Sequence, residues 1–147
     1  VLGNKIDVIA TDHAPHTVDE KLNTYFKSAS GGPMVQHALV AMLEHYHNGK
    51  ISLERVVEKM SHAVAECFEI EDRGYIREGQ FADLVVVDLD NPWTVEKENL
   101  LYKCGWSPME GQTFQSKVMQ TFVNGHLVYN MGEIDEDYRG KRMTFLR

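Results

Sequence analysis

Long hydrophobic runs are absent from this 147-residue chain. No stretch approaches the roughly 18 apolar residues that a membrane-spanning helix needs, so no membrane partner is expected. The opening residues carry no signal-peptide pattern. Cysteine is scarce: Cys67 and Cys104 stand alone without CxxC spacing. Neither a disulfide framework nor a cysteine-based metal site is expected, and both residues read as packing groups of a reduced, cytoplasmic protein. Basic charge is also short, with 15 Lys and Arg against 22 Asp and Glu for a formal charge of −7. That argues against bulk nucleic-acid binding, which needs a basic face to neutralise phosphates. An initiator Met is missing too, and the chain enters a predicted strand almost at once, so the expectation is part of a longer protein.

What is present is an ordinary globular composition, 43% hydrophobic and 25% charged, suited to one domain or a piece of one. Lys5–Thr11 (KIDVIAT) has the apolar run of a strand buried on both faces. The stretch through Gly32 carries the Pro, Asn, Ser and Gly of a long loop. Met34–His47 then reads as a helix, with Met34, Val35, Ala38, Leu39, Ala41, Met42 and Tyr46 as its apolar stripe. Asn48-Gly49 closes it as a left-handed C-terminal turn would. Ser52 is an N-cap candidate for a second helix that buries Leu53, Val56, Val57 and Met60, and further helical turns follow over Ala63–Ile70. Beyond residue 70 the period changes. Phe81–Asp88 contains a strand candidate, Lys117–Asn124 alternates, and "VNGHLVY" signals a hairpin on a type I′ Asn-Gly turn. The chain therefore divides into an α/β part, 1–70, and a β-rich part with its tail, 71–147.

Chemistry concentrates in "TDHAPH". A carboxylate and an imidazole just past the end of a buried strand occupy the place where α/β enzymes keep their reacting groups. Asp12 is able to move a proton or ligate a cation, and His16 lies four residues on, across Pro15. His13 points elsewhere if the strand pleat continues. The competing reading is a plain turn, in which Asp bonds nearby backbone N–H groups. The cluster has no HxH or HxxxH pair of its own, so it does not build a metal site alone. His37, His45 and His47 are expected on a solvated helix face, and His62 and His126 at surface or strand positions.

These residues resemble a family. "DVIATDHAPHTVDEK", then "SASGGP" and an apolar helix, is similar to the end of the barrel in the dihydroorotases of the amidohydrolase superfamily. "GYIREGQFADLVVVDLDNPWTV" resembles the entry into their β-sandwich, and "WSPMEGQTFQSKVMQTFVNGHLVYNMGE" their closing stretch. Met109 stands where the hallmark Ser-Pro-Phe-Glu-Gly has Phe, and Val64 of "HAVAE" where Asn-Pro-Ala has Pro. The resemblance implies the last strand and helices of a metal-dependent-hydrolase TIM barrel, followed by a small β-sandwich segment. It implies a zinc-dependent cyclic amide hydrolase interconverting N-carbamoyl-L-aspartate and L-dihydroorotate in pyrimidine biosynthesis. Asp12 then matches a metal ligand that also shuttles the proton. His16 matches a residue holding the substrate carboxylate, and Gly31 and Gly32 match a loop whose backbone meets the substrate ring. One or two zinc ions would be held mostly by residues upstream, in a barrel portion that is this chain's implied partner, and a homodimer is compatible. The rival expectations are an allantoinase or hydantoinase, and a non-catalytic relative that binds a partner.

Overall fold

The computed structural model describes residues 1–146; residue 147, the end of the 71–147 part, lies outside the described residues. Lys5–Thr11 forms no strand, contrary to its apolar pattern. Ile6 is exposed, and the run is anchored only through Ile9 N–H donating to the Lys59 carbonyl at 2.9 Å. A parallel strand exists by virtue of a hydrogen-bonded neighbour. Among the described residues the only ladder contact here is an isolated parallel bridge, His13 to Gly32.

The long loop contains a short helix, α1 (Val18–Lys21), started by a capping box in which Thr17 and Glu20 each accept the other's backbone N–H. Helix α2 (Ala38–His47) begins later than the stripe suggests, because Met34–His37 closes a turn through His37 N–H to the Met34 carbonyl. It ends at Asn48 with Gly49 at φ +66, as expected of that dipeptide. Its buried positions are Val40 and Leu43, both outside the predicted stripe.

Ser52 caps α3 (Leu53–Val57) by accepting the Arg55 N–H. The helix continues through a π-helical turn (Glu58–His62) into α4 (Ala63–Cys67). Val64 lets it run on where a Pro would have removed a backbone donor. At this wide turn Lys59 is buried, donating from Nζ to Asn4 Oδ1 at 2.7 Å with Glu58 3.4 Å away. Its carbonyl holds Ile9, so the turn docks the N-terminal segment twice.

From residue 84 the chain is β-rich. Strands β1 (Leu84–Asp88), β4 (Lys117–Val123), β5 (His126–Asn130) and β6 (Glu133–Ile134) form an antiparallel sheet in the order β1-β4-β5-β6. β4 and β5 join through Asn124 and Gly125, at φ +53 and +83, the two positive values a type I′ turn requires. β2 (Trp93–Thr94) and β3 (Thr113–Phe114) pair separately.

The principal core bridges the two parts: Val40 of α2 packs with Val95 and Phe114, flanked by Ala41, Trp93, Leu100, Met109 and Val118. Phe114 has no exposed surface. Phe114→Ala is therefore expected to lower stability by about 3–5 kcal/mol in urea unfolding, while Val85→Ala on the open sheet face stays within about 1 kcal/mol. One transition should report both the helices and the strands.

Candidate active site

Asp12 sits at φ +45, in the left-handed region where a non-glycine residue is strained and where short polar residues are the usual occupants. Its carboxylate is exposed and makes no hydrogen bond or ion pair among the described residues. The turn beyond it closes through His16 N–H to the Ala14 carbonyl at 2.9 Å, and Ala14 N–H donates to the Gly32 carbonyl at 3.0 Å. The capping that a simple turn would assign to Asp12 is carried out instead by Thr17 and Glu20.

Gly31 and Gly32 lie directly against this turn. Gly31 is at φ +79, and a Cβ added there would stand 2.7 Å from Ala14 Cβ and 3.7 Å from the Asp12 carbonyl. No side chain fits. Gly32 is different: its Cβ would meet Trp106 Cη2 at 3.6 Å and Pro108 Cγ at 3.9 Å, which is ordinary contact. Lys21, unremarked in the sequence, reaches back from α1 and donates Nζ to the Gly31 carbonyl at 2.7 Å and to the Ala29 carbonyl. His13 is directed away from Asp12's role: its Nδ1 accepts the N–H groups of Met34 (3.1 Å) and Val35 (3.3 Å), fixing the end of the glycine loop.

The His16 ring is half-exposed, with Nδ1 3.3 Å from Glu20 Oε2, while its carbonyl accepts the Trp106 indole N–H at 2.8 Å. The Thr17 backbone N–H, and after it His16, hold the Glu20 carboxyl below the usual range. The structure thus gathers the Asp12–His16 turn, Gly31 and Gly32 into one neighbourhood.

A groove of about 1040 Å³ lies beside these residues. Its lining includes His13 and Pro15 together with sheet residues Val85, Val118, Val128 and Tyr129.

The expectation of a solvated face fails for His37, which is entirely buried. Its Nδ1 meets Ser107 Oγ at 3.1 Å and Tyr102 Oη at 3.3 Å; Nε2 has no partner among the described residues. Burial pushes its pKa below the ordinary histidine value. Its spacing to Val40, Ala41 and Glu44 was the available signal, since i, i+3, i+4 and i+7 share a helix face. His47 bonds Ser116 Oγ at 2.8 Å. With His45 it forms an HxH, but residues two apart on a helix do not face each other. Cys67 is exposed rather than packed, Cys104 is half-buried, and both are free. Among the described residues no group of three His, Cys, Asp or Glu converges to hold a metal ion.

Residues 2–128 match the model of the family described as "Amidohydrolase family". A dihydroorotase from Pyrococcus furiosus is 36% identical over 141 residues, which is 96% of this chain and 33% of that protein. A dihydroorotase from Halobacterium salinarum is 40% identical over 126 residues, 86% of this chain and 30% of that protein. The chain spans about a third of the length of the curated relatives it matches. Among solved structures, an L-hydantoinase (dihydropyrimidinase) from Arthrobacter aurescens superimposes with TM-score 0.80 at 29% identity, over 88% of this chain and 30% of that one.

Two outcomes follow from this geometry. Gly31→Ala should destabilise the chain measurably in urea, because strain and the clash with Ala14 add, whereas Gly32→Ala should fold with near-native stability. For His37, the folded state binds fewer protons than the unfolded one, so its contribution is complete above about pH 6.5 and is lost as pH falls. The urea midpoint should therefore drop between pH 7 and 5, and His37→Gln, which keeps an acceptor but does not titrate, should flatten that drop.

Proposed function

This chain belongs to the amidohydrolase family, and on that premise we propose that it is the C-terminal portion of a dihydroorotase, the enzyme interconverting N-carbamoyl-L-aspartate and L-dihydroorotate. Asp12 carries the reading: a carboxylate on strained backbone, without a hydrogen bond or ion pair among the described residues, set beside a glycine loop that admits no side chain at Gly31. The names of the relatives, at 36% and 40% identity, and the Ser107–Gly111 motif support the choice of substrate.

Opening the ring adds water across the amide C–N bond. One proton leaves the water and one arrives on the departing nitrogen, and Asp12 is placed in this reading to carry it. His16 orients the substrate carboxylate by hydrogen bonding, and the backbone at Gly31 and Gly32 meets the ring. The Asp12 carboxylate would fit zinc as a single oxygen donor, and the other ligands would come from the barrel portion upstream. Such an ion, when bound, supplies a lowered water pKa and a polarised carbonyl.

In fold terms we read residues 1–70 as the closing helices of a barrel and 71–147 as the β-sandwich segment. A complete (β/α)₈ barrel takes about 250 residues. The exposed surface supports a missing partner: 10094 Å², against about 7600 Å² for a compact monomer of 16.8 kDa. A hydantoin ring is the second reading, favoured by the Arthrobacter aurescens structure. Assaying the full-length protein against dihydroorotate and hydantoins decides between them.

Residues 1–147 alone should turn over no dihydroorotate and bind zinc weakly, by isothermal titration. In the full-length protein, Asp12→Ala should lose several orders of magnitude in kcat with its circular dichroism unchanged. Activity near the native level would remove Asp12 from this role.

A further inference from the structure

We propose that Trp106 is a positioning residue for substrate binding, holding His16 and the Gly31-Gly32 loop in register from the β-rich part of the chain; this rests on the functional reading above. The indole Nε1–H donates to the His16 carbonyl at 2.8 Å across 90 positions of sequence. The same ring covers Gly32, with Cη2 3.6 Å from where a Cβ would stand. One side chain therefore touches both pieces of the neighbourhood.

The tie has force because Trp106 is itself held. On one side Tyr102, buried, accepts the Gln36 N–H at 2.9 Å and reaches His37 Nδ1 at 3.3 Å. On the other Ser107, also buried, meets His37 Nδ1 at 3.1 Å and accepts the Met109 N–H at 3.1 Å. Glu110 closes the turn by accepting the Ser107 N–H at 3.0 Å. Ser107–Gly111 is thus a self-bonded turn locked to the start of α2, and its product is a fixed indole. A donor so fixed sets the His16 peptide, and with it the direction in which the ring leaves the backbone. Removing the N–H leaves a part-buried carbonyl unpaired.

The test uses the full-length protein with Trp106→Phe, which keeps an aromatic ring and drops the donor, and Ile76→Ala, at an exposed position away from the groove, as a control. KM for ring opening should rise about five- to tenfold with kcat within about twofold, the mark of lost uniform binding. Amide hydrogen exchange should accelerate over residues 14–21 and 31–35 while α2 stays as protected as in the control. An unchanged KM, or acceleration that spreads through α2, overturns the proposal. Should the unmodified protein open neither dihydroorotate nor hydantoin rings, the functional reading fails separately. Exchange then decides the positioning role alone: confined acceleration upholds it and unchanged protection overturns it.

Discussion

A histidine buried at the start of α2 is the constraint on which the rest of this structure depends. His37 has aromatic rings on three sides, Trp93, Tyr102 and Phe114, at centroid distances of 5.5 to 6.1 Å. It is a polar ring in a largely apolar shell, where an unmade hydrogen bond is costly; Nε2 has no partner among the described residues, so Nδ1 carries the pairing. Nδ1 finds two hydroxyls, which belong to residues on either side of Trp106. The helix and the β-rich part are consequently joined by a specific polar lock inside a hydrophobic seam. Val40, Val95 and Phe114 supply the burial, and His37 supplies the register.

From that lock the geometry of the site follows outward. The segment from Tyr102 to Gly111 is pinned on α2 and presents Trp106 to the turn at His16. Lys21 and His13 hold the glycine loop from the other directions, through backbone carbonyls and N–H groups respectively. In the proposed role, where Asp12 would meet a cation and a moving proton, such rigidity would count, because misplacement by an ångström is costly to reactivity. Among the described residues Asp12 has no hydrogen bond or ion pair, and its backbone is strained. Both properties are what a structure keeps where a residue serves something other than its own fold.

Local chemistry was legible where it is governed by neighbours in sequence. Ser52 caps its helix, Gly49 ends α2, and Asn124-Gly125 turns the hairpin, because each depends on a few dihedral angles and one or two hydrogen bonds. The apolar run Lys5–Thr11 misled for the opposite reason: its strand character needs partners across a sheet, and none is provided among the described residues. The solvated face assigned to His37 misled likewise, since the rings that bury it come from residues 93 to 114.

By itself, then, the sequence determined the caps and turns and the order of a helical part before a β-rich one, and it pointed to Asp12, His16, Gly31 and Gly32 as candidates through a family resemblance. Only the tertiary structure decided which positions of α2 are buried, that Gly31 and not Gly32 forbids a side chain, and that Trp106 joins two distant segments. The reason is physical: capping and turn formation are settled within about four residues, whereas burial and hydrogen bonds between distant segments exist only once the chain has folded back on itself.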